Sequence, residues 1–183
     1  GVFWVPLAPL RDSKLVLESA RQVLGANDGV ASHIADKRML LLFDNFEQVV
    51  GAAPDLSALL GACPQLDLMV TSREALHLSG EQEYPVPPFA AEEAIDFFAA
   101  RAREVKPYFE IDEVVPEICR RLDELPLALE LAASRVKALS TEQIFSRLEH
   151  RLALLTGGRR DAPKRQRTLR ATIDWSYDLL TNG

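Results

Sequence analysis

Two short stretches place groups capable of chemistry directly after apolar runs. Asp44, Asn45 and Glu47 follow Met39-Leu40-Leu41-Leu42-Phe43, and Thr71, Ser72 and Arg73 follow Leu66-Asp67-Leu68-Met69-Val70. A continuous apolar run suits a strand of a parallel sheet covered on both faces, and ligands of such sheets collect at the strands' carboxyl ends. An acid at Asp44 is placed to hold a hard cation such as Mg²⁺, which takes oxygen ligands and uses one or two carboxylates beside phosphate. The planar fork of Arg73 suits a phosphate, and the hydroxyls of Thr71 and Ser72 suit hydrogen bonds to its oxygens. The same residue types have a plainer use, because Asp, Asn and Ser are favoured helix caps. Each stretch alone leaves both readings open. Neighbouring parallel strands would bring Asp44 and Arg73 to one rim, which favours a ligand site.

The elements that must position these groups alternate along the chain. Val2-Phe3-Trp4-Val5-Pro6-Leu7 reads as a strand of bulky β-formers. A helix capped by Asp12 or Ser13 then carries Leu15, Val16, Ala20, Val23 and Leu24 on one face before Gly25 stops it. A short helix through Ile34 leads to the Met39 strand, and a helix with Leu56, Leu59 and Leu60 leads to the Leu66 strand. Strand-helix-strand alternation implies right-handed crossovers and a parallel sheet with helices on both faces. A short last strand is predicted over Glu83 to Val86. From Pro87-Pro88 onward all apolar spacing is helical. Ala94, Phe97 and Phe98 mark one helix, and Ile111, Val114, Val115, Ile118 and Leu122 mark a second. Pro126 opens a third running to Leu139. Ser140 and Gln143 form a capping box before a fourth through Ile144, Leu148, Leu152 and Leu155. The chain thus divides into an α/β part over 1–88, an all-α part over 89–155, and a basic linker with one amphipathic helix over 156–183.

Composition removes several classes. The 183 residues carry a formal net charge of −6, which disfavours grip on a nucleic-acid backbone but leaves room for a free nucleotide at a local site. Cys63 and Cys119 lack metal-ligand spacing and lie in apolar segments, as expected of reduced thiols in a cytoplasmic protein. The scattered His33, His77 and His150 form no metal motif. No apolar stretch approaches the roughly 20 residues that span a bilayer. The stretch from Arg159 to Arg167 is basic but has no interleaved aromatics for base stacking, so it reads as a solvated loop.

Four stretches together resemble the nucleotide-binding core of the STAND class of signal-transducing NTPases, related to NB-ARC domains, in the version found in large bacterial LuxR-type transcriptional regulators. Leu41-Leu42-Phe43-Asp44-Asn45-Phe46-Glu47 resembles the Walker B strand of that family, and Val70-Thr71-Ser72-Arg73-Glu74-Ala75-Leu76 its sensor strand. Glu124-Leu125-Pro126-Leu127-Ala128 is similar to the Gly-Leu-Pro-Leu-Ala motif of the helical lid. The stretch from Arg167 to Tyr177 is similar to the start of the winged-helix subdomain. The resemblance implies an incomplete parallel P-loop NTPase sheet flanked by helices (1–88), a helical lid (89–155), and a basic linker with the first winged-helix helix (156–183). It implies ATP or ADP with Mg²⁺ as cofactors, with Asp44, and Asn45 beside it, at the metal. Thr71, Ser72 and Arg73 would lie at the phosphates, Arg73 sensing the γ-phosphate, and Pro126 would touch the base or ribose.

Two positions depart from the family pattern: Glu124 replaces the lid glycine, and Asn45 stands where many relatives carry a second acid. An amide cannot take a proton from an attacking water, so hydrolysis is expected to be slow, with Glu47 the remaining candidate base. No Gly-x-x-x-x-Gly-Lys-[Ser/Thr] loop occurs, and none of Lys14, Lys37, Lys106, Lys137 and Lys164 follows a glycine. In the family that loop and its strand lie upstream of the strand beginning at Val2. The chain is therefore expected to start after its phosphate cradle, to bind ATP weakly or not at all, and to expose unpaired strand edge that favours self-association. The expected partners are other domains of a longer protein, namely an effector or DNA-binding domain and sensor repeats. Two alternatives are a nucleotide-independent scaffold that docks a protein partner, and direct DNA binding through the basic linker and terminal helix.

Overall fold

The computed structural model describes residues 1–148 and Thr168. The predicted helix residues Leu152 and Leu155, the basic stretch Arg159 to Arg167 and the terminal helix with its winged-helix resemblance lie outside those residues. The chain divides after Tyr84 into two compact units.

In the first unit, β1 (Val2–Pro6), β2 (Met39–Asp44) and β3 (Leu66–Val70) form a parallel sheet in the order β1-β2-β3. The register sets Trp4 beside Leu42 and Leu42 beside Met69. A 3₁₀ turn at Ser13–Leu15, α1 (Val16–Leu24) and α2 (Val30–Ile34) join β1 to β2, and α3 (Ala53–Ala62) joins β2 to β3. Asp12 caps the start of this first crossover by accepting the Lys14 N–H at 3.0 Å. Gly25 ends α1 with φ 63°, a left-handed position at which a Cβ is costly.

Among the described residues, helices cover one face of this sheet, not the two expected. The reason is topological. Each strand is added on the same side of the last, so two right-handed crossovers must pass over the same face. There Val5, Leu41, Phe43 and Leu66 pack into one core with Val16, Ala20, Ile34, Leu56 and Leu59. On the opposite face Val2, Trp4 and Met69 are 71%, 59% and 53% exposed. Along β2, buried Met39, Leu41 and Phe43 accordingly alternate with half-buried Leu40, Leu42 and Asp44. This asymmetry has a measurable consequence. Met69→Lys is expected to change the unfolding free energy by less than about 0.5 kcal/mol, whereas Leu41→Ala on the covered face costs about 2–5 kcal/mol. Urea unfolding of the two variants checks the contrast.

The strand expected over Glu83 to Val86 does not form. Tyr84 and Val86 stand 87% and 86% exposed, and among the described residues β3 pairs only with β2. Pro85, Pro87 and Pro88 offer no N–H to a ladder, so the segment cannot hold a regular strand without a neighbour that supplies the other bonds.

The second unit packs α4 (Ala91–Val105), α5 (Val115–Arg121), α6 (Pro126–Ala133) and α7 (Thr141–Arg147) around Phe98, Ala102, Ile118, Leu129, Leu131 and Ile144. The second helix starts later than its apolar spacing suggests, and Ile111 lies outside it. Asp112 causes this by accepting the N–H groups of Val114 and Val115 at 3.0 and 3.1 Å. Its other oxygen accepts the Thr141 hydroxyl at 2.6 Å, tying α7 to the start of α5. The helix read from Pro126 to Leu139 stops at Ala133 and tightens into a 3₁₀ turn over Ser134–Lys137, where the Ser134 hydroxyl donates to the Leu131 carbonyl at 2.7 Å. The Ser140–Gln143 capping box forms in both directions, at 3.1 and 3.3 Å. Among the described residues no helix is long and apolar enough to cross a membrane.

Candidate functional site at the carboxyl edge of the sheet

β2 and β3 deliver their polar residues to the same edge. The Thr71 hydroxyl donates to Asp44 Oδ1 at 2.7 Å and accepts the Asn45 N–H at 3.0 Å. Backbone bonds hold the two loops in step: Thr71 N–H to the Phe43 carbonyl and Phe46 N–H to the Thr71 carbonyl, both at 2.9 Å. Thr71 thereby orients the Asp44 carboxylate, whose second oxygen carries no hydrogen bond among the described residues. Asn45 sits in the left-handed region at φ 67°. Asn and Asp enter that region more readily than other side-chain-bearing residues, which gives the asparagine a local backbone reason.

Glu47 follows in the 3₁₀ turn Phe46–Gln48. Its side chain is only 9% exposed, and its carboxylate faces the guanidinium of Arg73 at 3.6 Å. The pair links the loops a second time and holds Arg73 at the rim. Ser72 accepts the Glu74 N–H at 3.3 Å in a local turn, not as the helix cap its residue type also allowed, because no helix follows before Ala91. The edge therefore brings together Asp44, Asn45, Glu47, Thr71, Ser72 and Arg73. Pro126 belongs to the second unit, where it is the first residue of α6.

Sequence reasoning passed over Arg11 and Gln48. Arg11 donates to the carbonyls of Ala8 at 3.2 Å and Leu10 at 2.9 Å and to the side-chain oxygen of Gln48, and the Gln48 amide donates to the Ala8 carbonyl at 3.0 Å. This bridge fastens the loop after β1 to the loop after β2. No local pattern announces it, because the partners lie 37 residues apart.

Asp44 and the Asn45 side-chain oxygen are hard donors of the kind Mg²⁺ prefers. Among the described residues no group of three or more His, Cys, Asp or Glu converges on a metal-sized site. One carboxylate suffices only when phosphate and water complete the shell, so the donor set fits a cation carried in with a phosphate rather than a protein cage. A cleft of about 430 Å³ lies elsewhere, between α1, α2 and α3, lined by Leu17, Glu18, Arg21, Val30, Asp55 and Leu59. Its Glu18–Arg21 pair is internally satisfied: Arg21 hydrogen-bonds Glu18 at 2.7 Å and lowers its carboxyl to about 2. The rim carries the convergent acid, hydroxyl and guanidinium, and it is the better candidate despite its openness.

The turn before Pro126 is strained. α5 ends with Asp123 N–H bonded to the Arg120 carbonyl and Glu124 N–H to the Cys119 carbonyl, each at 3.1 Å. These are the two bonds of a Schellman motif, whose left-handed residue is usually glycine. Here Asp123 and Glu124 occupy φ 55° and 52°, a region Asp enters comparatively readily and Glu only at a cost of about 1–2 kcal/mol. The departure from glycine at position 124, visible in the sequence, is thus a departure in backbone energy.

No family model matches the chain, and no solved structure matches it. In sequence it is 42% identical over 195 aligned residues to a protein of Mycobacterium tuberculosis named "Putative HTH-type transcriptional regulator", with 99% of this chain and 22% of that protein covered. The same figures hold for a protein of that name in Mycobacterium bovis. An uncharacterized protein of Mycobacterium tuberculosis is 42% identical over 164 residues, with 86% of this chain and 42% of that protein covered. The chain therefore spans about a fifth of the length of the first two relatives and under half of the third.

Proposed function

We propose that these residues are the partial core of a nucleotide-dependent regulatory switch in a transcriptional regulator. The observation that carries the reading is the joined edge of β2 and β3, where Thr71 aims Asp44 and Glu47 holds Arg73. The names of the longer relatives support the regulatory half of the proposal.

In this reading Asp44, with Asn45 beside it, holds Mg²⁺ of a bound ATP or ADP, and the metal when bound neutralises charge on the phosphates. Arg73 reads the terminal phosphate, since its fork can exchange the long contact to Glu47 for a bidentate phosphate contact. Thr71 and Ser72 supply hydroxyls beside it, and Pro126 is the candidate contact for the base or ribose. Because Asn45 cannot act as a base, Glu47 is the candidate to orient water, and turnover is slow. Slow turnover suits a protein whose output is which nucleotide it holds, with effector or DNA-binding domains and sensor repeats of the same polypeptide as its partners.

No glycine-rich phosphate loop occurs in the 183 residues, and such a loop and its lysine supply most of the grip on β- and γ-phosphates. The isolated chain is therefore expected to show no ATP binding below the millimolar range by isothermal titration with Mg²⁺ present. Micromolar affinity would overturn this assignment of the phosphate grip.

A further inference from the structure

The loop that leaves β3 folds back on a single carboxylate. Glu81 accepts the Leu76 N–H at 2.8 Å through one oxygen and the Leu78 N–H at 3.0 Å through the other. His77 between them stands in the left-handed region at φ 56°. A left-handed residue within a turn aims successive N–H groups to one side, and such a concavity binds an anion. Here the anion is the chain's own. The Leu76 N–H first and the Leu78 N–H next hold the Glu81 carboxyl below the usual carboxylate range, and the backbone and side chain of His77 add to the effect. The Glu81 N–H closes the loop from the other direction by donating to the Leu78 carbonyl at 3.1 Å. Leu76 and Leu78 also pack against the core of the first unit, so the folded loop is fastened to the sheet and its helices.

This gives the rim a second support. At its near end the loop is fixed at Thr71, whose N–H donates to the Phe43 carbonyl and whose carbonyl accepts the Phe46 N–H, both at 2.9 Å. At its far end it is fixed at Leu76 by Glu81. Ser72, Arg73, Glu74 and Ala75 span the interval. The course of that short span sets where the Arg73 guanidinium stands when it faces Glu47 at 3.6 Å. The Glu81 oxygens bond loop backbone, not a side chain of the rim.

We propose that Glu81 is a positioning residue of the rim. By filling the backbone concavity at residues 76–78 it fixes the far end of the loop, and with it the place of Arg73 beside Glu47. The carboxylate matters as such, because it offers one oxygen to each N–H and its charge strengthens both bonds. The placement of Arg73 stands without the nucleotide reading. Its consequence for binding rests on that reading: if Arg73 senses a terminal phosphate, loss of Glu81 weakens ATP and spares ADP.

The test begins with nuclear magnetic resonance of the 183-residue chain. Glu81→Ala is expected to speed hydrogen exchange of the Leu76 and Leu78 amides at least about tenfold, the effect of removing a charge-assisted hydrogen bond. It also moves the Arg73 Nε–Hε resonance, while the amides of Phe46 and Thr71 keep their rates. Glu81→Gln, which keeps one acceptor oxygen, moves the same resonance in the same direction by less, and it carries the test if Glu81→Ala disturbs the fold. In the full-length polypeptide Glu81→Gln is expected to lower the preference for Mg·ATP over Mg·ADP at least about threefold with ADP affinity unchanged. A general loss of structure weakens both alike. An Arg73 resonance unmoved in both variants, or equal weakening of ATP and ADP, overturns the positioning role. A wild type that binds neither nucleotide contradicts the nucleotide reading alone, and the Arg73 resonance then decides the positioning role by itself.

Discussion

Phe43→Ala is expected to destabilise the Gly1–Tyr84 unit by about 3–5 kcal/mol, a large share of its folding free energy. Phe43 is fully buried on the covered face of the sheet and meets Phe46 edge to face, with ring centroids 6.2 Å apart. Truncation removes the transfer free energy of a whole ring and leaves a cavity that the flanking helices cannot fill. A domain of this size holds only about 5–15 kcal/mol in reserve. Phe43 and Phe46 bracket Asp44 and Asn45, so the substitution also removes the scaffold that aims the carboxylate. Thermal and urea unfolding followed by far-UV circular dichroism checks it. Phe43→Leu, closer in volume, is expected to retain most of the stability.

Asp44→Ala has the opposite signature. Asp44 is half-buried at the end of β2, and among the described residues its side chain accepts one hydrogen bond, from Thr71. Its removal costs about 1 kcal/mol of folding free energy, and the unit keeps its circular dichroism spectrum. In the full-length polypeptide, however, the proposed metal position is lost. Affinity for Mg·ATP is expected to fall about 100-fold, since even partners of a metal ligand contribute 10- to 100-fold. Arg73→Ala separates the roles further. It leaves Glu47 nearly buried without its counter-charge, so it lowers stability as well as phosphate affinity. The three substitutions together distinguish what builds the edge from what the edge binds.

The parts of this fold legible in the sequence are those decided within a few residues. Asp12 and Gly25 frame the first crossover, the apolar runs give β2 and β3, Pro126 opens α6, and Ser140 with Gln143 starts α7. Each rests on a cap, a dihedral preference or a periodicity. Strand order does not appear in any local pattern. The bare face holding Val2, Trp4 and Met69 follows from adding strands on one side under a fixed handedness, and an apolar run reads alike whether one face or both are covered. The alternation in Glu83 to Val86 resembles a strand, but the ladder that would make it one is not supplied by β3. At the site, the residues following each strand could be named from their types. The Thr71–Asp44 bond, the Glu47–Arg73 pair and the Arg11–Gln48 bridge are contacts between segments distant in sequence, which no local pattern encodes. The strain at Glu124 lies between these cases: a missing glycine is visible in sequence, and only the φ values show what its absence costs.

The central claim is that the β2–β3 edge belongs to a nucleotide switch with Asp44 at its metal. The most direct measurement is a calorimetric titration of Mg·ATP into the full-length polypeptide and its Asp44→Ala variant, repeated with excess chelator. Saturable binding that weakens about 100-fold in the variant, and likewise in the wild type when Mg²⁺ is removed, is the predicted result. Equal affinity in the two proteins, or no binding by the wild type, would contradict it.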